Sequence, residues 1–159
     1  RQMIRDDDVF GLYNRVRRLL DHACQDLMGQ SGLRMVELEI PYYLSRSGSG
    51  DTARDIIEAR NLSKAHISKS VDNLRRTGCV TLKADAEDRR CLHLLLTPRG
   101  RGYAADYAGI LRRVGAQILE DVTPEERRVI RGAMEKIRRN VEAAADTIRT
   151  PRGKLEETP

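Results

Sequence analysis

Apolar residues recur at helical spacing towards both ends of the chain, and at strand-like spacing in a short stretch between them. The first helical run covers residues 8–29 and should end at Gly29 and Gly32. A second helix is predicted over about 33–46, where Pro41 removes a backbone hydrogen bond and should kink the helix. The apolar positions of the first run are Val9, Leu12, Tyr13, Val16, Leu19, Leu20, Ala23 and Leu27.

Capping residues divide the middle of the chain into shorter elements. After a Ser/Gly loop, Asp51 or Thr52 should cap a short helix. The turn from Asn61 leads into a longer helix, with Ser63 as its N-cap and Gly78 as the glycine that ends it. Two short helices joined by a tight turn predict a helix-turn-helix.

A β-hairpin is predicted directly after this helix. Residues 79–83 and 91–96 are expected to form its two strands, and residues 84–90 the polar turn between them. A hairpin in this position would be the wing of a winged helix-turn-helix.

Two long helices should complete the chain. Thr97-Pro98 opens the first, with the proline at the first helical position. Thr123-Pro124-Glu125-Glu126 caps the second. Their apolar positions at helical spacing are Tyr103, Tyr107, Ile110, Leu111, Val114, Ile118 and Leu119 in the first, and Val129, Ile130, Ala133, Met134, Ile137 and Val141 in the second.

This order of elements predicts a mainly α fold with one small β-hairpin. Residues 33–97 would form a winged helix-turn-helix domain, the helices of 1–32 and 98–149 a dimerisation region, and 150–159 a polar, frayed tail. The long amphipathic helices cannot all bury their apolar stripes on so small a middle domain. A second copy of the chain, related by a two-fold axis, is the expected remedy.

Composition narrows the classes of function. The formal net charge of +5, from 29 Lys and Arg against 24 Asp and Glu, suits an anionic partner. Aromatic residues are few and Trp is absent, which argues against a protein that stacks single-stranded bases. No apolar run is long enough to span a bilayer, and no signal-peptide pattern opens the chain. We therefore expect a cytoplasmic protein without a membrane partner.

The residues that could hold a metal or form a disulfide are scattered. The cysteines show no CxxC and no Cys/His pair at ligand spacing, so we expect no cofactor and no metal. Cys79 and Cys91, each at a strand start, could face each other across the hairpin, but plain packing is the expectation in a reducing cytosol. Neither a Ser/His/Asp set nor paired carboxylates indicate an enzyme. The scattered residues are Cys24, Cys79 and Cys91, with His22, His66 and His93.

The helix over 63–77 has an apolar face, formed by Ile67, Val71 and Leu74, and an opposite cationic face. On the cationic side, some residues are small enough for a close approach to a DNA groove, some can donate to base edges, and some suit phosphates. Ala65 and Ser68 are the small residues, His66, Lys69 and Asn73 can donate to base edges, and Lys64 and Arg75 suit phosphates. The alternative is the solvated cationic face of an ordinary surface helix.

The predicted hairpin tip combines three acids with the adjacent arginines Arg89 and Arg90. An aspartate can hold an arginine by a bidentate pair and so fix how it projects. An arginine aimed in this way suits a narrow minor groove with a strong negative potential. The alternative is an ordinary charged hairpin with weak surface ion pairs. A helix for the major groove and a wing for the minor groove would grip one duplex together.

These motifs, in this order, resemble one family of regulators. They are Leu62-Ser63-Lys64, Ser68, Val71-Asp72-Asn73-Leu74, Gly78, Asp88-Arg89-Arg90 and Leu96-Thr97-Pro98-Arg99-Gly100. The chain is similar to the multiple antibiotic resistance regulator (MarR) family, over about residues 33–100 in motif and nearly throughout in element order. The Asp-x-Arg wing followed by Leu-Thr and a glycine is fairly specific to that family.

The resemblance implies a dimeric winged-helix transcription regulator, with repression expected in preference to activation. It places Lys64, His66, Ser68 and Lys69 at the major groove, Arg90 in the minor groove, Asp88 as the residue that orients it, and Arg89 near phosphate. The family often has Thr or Ser where His66 stands and Arg where Lys69 stands, so the operator sequence stays open.

The family's effector pocket lies between the dimer helices and the winged domain. Tyr42, Tyr43 and His22 are the candidates there, and core packing is the expectation for the tyrosines. Some members of the family sense oxidants through a cysteine of the first helix, near tyrosines. Cys24 falls late in that helix beside the apolar stripe, so a buried, inert thiol is the expectation and a redox-sensing regulator the alternative.

The leading hypothesis is a homodimeric, sequence-specific regulator that binds double-stranded DNA. Release by a small-molecule effector is a further part of this hypothesis. The alternative is a winged-helix module for protein contact, in which the cationic face would bind an acidic partner.

Overall fold

The computed structural model of the chain describes residues 6–48, 50–60 and 63–149. In chain order its elements are α1 (Asp6–Ala23), α2 (Gln25–Ser31), α3 (Met35–Leu44), α4 (Ala53–Arg60), α5 (Lys64–Arg76), β1 (Val80–Ala84), β2 (Leu92–Leu96), α6 (Pro98–Ile118) and α7 (Pro124–Arg149). The predicted fold class is confirmed. Asn61 and Leu62, in the predicted turn, and the predicted tail over 150–159 lie outside the described residues. None of the described helices is both long and apolar enough to cross a bilayer.

The N-terminal run forms two helices, where the sequence predicted one. The backbone turns at Cys24, which has φ −92° and ψ −4°, although hydrogen bonds of helical spacing continue on both sides. Gly29 lies inside α2, so the prediction that it stops the helix is wrong. Gly32, with φ +69°, ends the helix in the left-handed conformation that glycine adopts without strain. The next helix, α3, continues through the buried Pro41.

Side-chain caps set where the helices of the helix-turn-helix begin. Thr52 caps α4, since its Oγ1 accepts a hydrogen bond from the Asp55 N–H at 3.2 Å. The Asp55 Oδ2 accepts one from the Thr52 N–H at 3.0 Å, which completes a reciprocal box. Ser63 caps α5 as predicted, by accepting from the His66 N–H at 3.3 Å.

The wing is an antiparallel hairpin that starts where α5 ends. Gly78 has φ +70° and lets the chain reverse into β1. The register pairs Val80 with Leu96 at the base of the hairpin. Cys79 precedes β1 at this base, whereas Cys91 precedes β2 at the tip. The suggestion that these two cysteines face each other across the hairpin is therefore wrong.

The core of the winged domain lies where α3, α5, α6 and the hairpin meet. Ile67 and Leu74 of α5 are buried and Val71 is half-buried, as the helical spacing predicted. The largest fully buried apolar side chains include Leu38, Ile40, Ile56, Ile67, Leu74 and Val80. Because α5 buries its apolar face here, its opposite face is turned to solvent.

The helix α6 begins against the base of the wing. Thr97 caps it, since the Thr97 Oγ1 accepts from the Gly100 N–H at 3.1 Å and donates to the Gly78 carbonyl at 2.7 Å. A Cβ added to Gly100 would lie 2.0 Å from the carbonyl oxygen of Cys79, far inside van der Waals contact. The Leu-Thr-Pro-x-Gly motif thus has a physical reason, because it caps α6 and lets the helix approach the wing backbone.

The chain divides into two compact units, one ending at Ile118 and the other beginning at Leu119. The second unit contains α7, which Thr123 and Glu126 cap reciprocally as predicted. One face of α7 exposes the large apolar side chains of Val129, Ile130, Met134, Ile137 and Val141. In the first unit, α1 exposes Phe10, Leu12, Tyr13 and Leu19.

Candidate nucleic-acid interface

The outer face of α5 is exposed and cationic. It carries the predicted groove-facing residues Lys64, Ala65, His66, Ser68, Lys69 and Arg75, all of them exposed. Asp72 is the one acidic residue between positions 63 and 77. The face can therefore present donors and positive charge to an anionic, acceptor-rich surface.

Asn73 differs from the other predicted base-reading residues of α5. It is half-buried, and its Nδ2 donates to the Glu37 Oε2 at 2.7 Å. Its Oδ1 accepts from the Arg76 guanidinium at 2.6 Å. Both ends of the amide are thus engaged within the protein, and this placement does not support the predicted contact between Asn73 and a base edge.

Glu37 is a fully buried carboxylate that ties α5 to α3, and the sequence analysis missed it. Besides Asn73, it accepts hydrogen bonds from the backbone N–H and the Nε of Arg34, each at 3.0 Å. Burial alone would raise the pKa of Glu37, but the hydrogen bonds from Arg34 and Asn73 outweigh it and lower that pKa. The signal in the sequence that could have identified Glu37 is the presence of an acidic residue inside the apolar run of α3.

The wing tip exposes the two predicted arginines, Arg89 and Arg90, but it is built differently from the prediction. Among the described side chains, no ion pair joins Asp88 to Arg90, so the expected bidentate pair is absent. Instead the Asp88 Oδ1 accepts the backbone N–H of Arg90 at 3.0 Å. Asp88 therefore fixes the backbone from which Arg90 projects, and the guanidinium itself is exposed.

Asp85 organises the turn, and the sequence analysis did not single it out. Its Oδ1 accepts the backbone N–H groups of Glu87 at 2.8 Å and of Asp88 at 2.9 Å. The hydrogen bond from Asp88, followed by one from His93, lowers the pKa of Asp85 to about 2. The turn is thus built around a carboxylate that stays ionised across the neutral pH range.

His93 joins the wing to the residues that precede α4. Its Nδ1 lies 2.6 Å from the Asp51 Oδ1, and its Nε2 lies 3.0 Å from the Asp85 Oδ2. Hydrogen bonds to Asp51 and then to Asp85 raise the pKa of His93. Asp51 and His93 stand 42 residues apart, and no local pattern in the sequence could have paired them.

The remaining candidates pack within the first unit or lie on its surface. Burial, then the nearby charges of Asp21 and Glu39, raise the pKa of the Cys24 thiol, which disfavours a reactive thiolate. Tyr42 stacks edge-to-face on Tyr107, with ring centroids 5.5 Å apart, in keeping with core packing. Tyr43 is also half-buried, and His22 is exposed on α1. Over the described parts of the chain, no cluster of His, Cys, Asp and Glu could hold a metal ion.

Residues 32–90 of the chain match the sequence model of the MarR family. The matched segment runs from the start of α3 through α5 to Arg90 at the wing tip, so it contains both parts of the interface described above. The resemblance indicated by the motifs is confirmed over this segment.

Solved structures of MarR proteins share the fold over most of both chains. A MarR protein from Peptoclostridium difficile has a TM-score of 0.80 at 18% identity, over 93% of this chain and 96% of its own. A MarR transcriptional regulator from Methanosarcina mazei has a TM-score of 0.76 at 17% identity, over 87% of this chain and 99% of its own. MepR from S. aureus, in complex with DNA, has a TM-score of 0.70 at 18% identity, over 81% of this chain and 95% of its own. The chain therefore has the winged helix-turn-helix fold of these regulators.

Proposed function

We propose that this chain, which has the DNA-binding fold of MarR-family transcription regulators, is a homodimeric regulator that recognises a specific sequence in double-stranded DNA. The observation that carries the proposal is the pairing of two exposed elements that present positive side chains, the outer face of α5 and the adjacent Arg89 and Arg90 of the wing tip. Glu37 anchors α5, and Asp51 and Asp85 anchor the wing through His93, so the backbone of each element is fixed before DNA arrives. Such preorganisation reduces the entropy lost on binding.

In this proposal α5 enters the major groove. His66 and Lys69 donate to base edges, while Ala65 and Ser68 allow the helix backbone to approach the groove floor. Lys64 and Arg75 neutralise phosphates on either side. Asn73 is left out of this set because its amide already bonds to Glu37 and Arg76.

The wing enters the adjoining minor groove in the same proposal. Arg90 occupies the groove, Asp88 holds the backbone beneath it, and Arg89 lies near phosphate. Two such domains, one from each chain, would sit on half-sites about 34–36 Å apart, which corresponds to one helical turn of DNA. The exposed apolar residues of α1 and α7 would be covered between the two chains.

We further propose that the regulator works as a repressor in the cytoplasm. A small-molecule effector would release it by changing the spacing of the two α5 helices, because half-site spacing sets which DNA a dimer can span. No residue is assigned to such an effector.

The wing assignment is tested by Arg90→Ala in a duplex-binding titration. Removing a cation from the minor groove should weaken binding at least about tenfold, and it should reduce the salt dependence by about one counterion. Arg113→Ala, an exposed arginine on α6, is the charge-matched control and should change the affinity little. If the two variants bind alike, the wing does not enter DNA.

A further inference from the structure

We propose that His93 is a positioning residue for DNA binding: held between Asp51 and Asp85, its protonated ring locks the wing to the helix-turn-helix. The inference rests on the proposed function in one respect, namely that the locked wing is the one that fits DNA. The existence of the lock itself can be tested without DNA.

The geometry of the lock joins three separate parts of the domain. His93 lies in β2, Asp85 opens the turn of the wing, and Asp51 lies in the loop before α4. Backbone contacts reinforce these side-chain contacts. The Leu94 N–H donates to the Asp51 carbonyl at 2.9 Å, and Thr52 and His93 form an isolated antiparallel β-bridge. The loop before α4 is thus attached to the wing by backbone and side chain together.

The two ring nitrogens of His93 each face a carboxylate oxygen. Only the imidazolium carries an N–H on both nitrogens, so only the protonated ring can donate to Asp51 and Asp85 at once. A neutral ring keeps one N–H and presents a lone pair to the other carboxylate. Loss of the proton therefore removes one charge-assisted hydrogen bond and sets two acceptors against each other.

Other charged groups surround the ring, and they do not replace this pairing. Lys83 of β1 stands opposite His93 in the register and lines the same cleft, but its side chain is exposed. Asp55 of α4 is also near, yet its Oδ2 accepts from the N–H and the hydroxyl of Thr52. Asp51 and Asp85 are thus the carboxylates in direct contact with the ring.

The pH range of the lock follows from the directions of the two pKa shifts. The pKa of His93 is raised in the folded chain from its ordinary value of 6.5, so its contribution is complete below that value and is lost as the pH rises through the raised pKa. The pKa of Asp85 is lowered from 3.8 to about 2, so its contribution is complete above 3.8 and is lost as the pH falls towards about 2. Both stabilising contributions are therefore complete between pH 3.8 and pH 6.5. The contribution of His93 is lost as the pH rises above this range.

The first experiment follows the ring resonances of His93 by NMR as a function of pH, on the full chain without DNA. His22→Gln and His66→Gln assign the other two histidines. We expect His93 to titrate above its ordinary value in the wild type, and clearly lower in Asp51→Asn and in Asp85→Asn. A His93 that titrates at its ordinary value, or that ignores Asp51→Asn, would overturn the proposal.

The second experiment measures the affinity for a labelled duplex, enriched by selection, from about pH 6 to about pH 9, where a histidine with a raised pKa loses its proton. The background is His66→Gln, so that no histidine on the outer face of α5 can be confused with an effect of His93. In that background the affinity should fall about fivefold as the pH rises, in line with the loss of one charge-assisted hydrogen bond. Adding His93→Gln should weaken binding at the acidic end and flatten the profile, whereas His22→Gln on α1 should leave the profile unchanged.

The outcomes separate the two proposals. An equal loss in His93→Gln at every pH would mean a purely structural role and would overturn the positioning role. If the wild type binds no duplex at any pH, the proposed function fails, and the NMR titration alone decides whether the lock exists.

Discussion

Glu37 shows how a single buried acid can hold the helix α5 in place. Its carboxylate is fully buried and receives donors from Arg34 on one side and from Asn73 of α5 on the other. Asn73 in turn accepts from Arg76. A buried charge is tolerable when it is this fully hydrogen-bonded, and removing its charge leaves the donors without a proper acceptor.

Glu37→Gln should therefore destabilise the fold by about 1 to 3 kcal/mol, as measured by urea denaturation. In glutamine an NH2 group replaces one carboxylate oxygen, so this hydrogen-bond donor would face the donors from which Glu37 now accepts. Glu58→Gln is the matched control, since Glu58 pairs with Arg54 on the surface of α4 and its loss should cost under about 1 kcal/mol. Equal stabilities for the two variants would contradict the anchoring role of Glu37.

The lowered pKa of Glu37 also predicts that the stability of the fold falls at acidic pH. Because the pKa of Glu37 is lowered in the folded chain, its stabilising contribution is complete above its ordinary value of 4.5 and is lost as the pH falls below it. The Glu37→Gln variant should lack this part of the acid profile.

At the scale of elements, the contact between the wing base and the start of α6 fixes how the hairpin leaves the domain. Thr97 bonds to the backbone of Gly78 at 2.7 Å, and Gly100 allows the carbonyl of Cys79 to approach the helix. Close packing of this kind does not tolerate an added methyl group without a backbone shift.

Gly100→Ala should therefore destabilise the chain by about 2 to 3 kcal/mol. Gly102→Ala is the control in the same helix, because Gly102 is exposed and, apart from its chain neighbours and the backbone of its own helix, no described atom lies within 4 Å of the position of its Cβ. Alanine is the better helix former, so the control should gain up to about 1 kcal/mol. Chemical denaturation of the two variants measures both, and a stable Gly100→Ala would show that the close approach is not required.

The elements also show which features of the fold can be predicted from sequence. Ser63 and Gly78 act on neighbours within a few residues, and their roles at the two ends of α5 were predicted correctly. The pairing of His93 with Asp51 depends on how the wing folds back on the loop before α4, so no local pattern contains it. Asp88 does orient Arg90, but through the backbone: its carboxylate accepts the nearer N–H of Arg90 and forms no bidentate pair with the guanidinium.

Across the whole molecule, the apolar residues of α7 stand out because they form an exposed face of a kind that often marks an interaction surface. Ile137, Met134 and Val141 are 47%, 58% and 62% exposed, which is unusual for several large apolar side chains on one helix face. Helical spacing puts them on one side of α7, opposite to Arg139. In the proposed function a second chain covers this side.

Ile137→Glu should convert the proposed dimer to monomers at micromolar concentration, because it would set a charge in an apolar interface. Arg139→Glu, on the opposite side of α7, should leave the dimer intact. Sedimentation analysis of both variants and the wild type gives the answer. A wild type that sediments as a monomer would remove the basis for two half-sites.

In the proposed function, two copies of this chain read one sequence in double-stranded DNA through α5 and the wing. Selection of bound sequences from a random duplex pool tests it most directly. We expect enrichment of a pseudo-palindrome whose half-sites are centred about one helical turn apart, roughly 10 base pairs. If the wild-type chain enriches no sequence over the starting pool, sequence-specific recognition of DNA is contradicted.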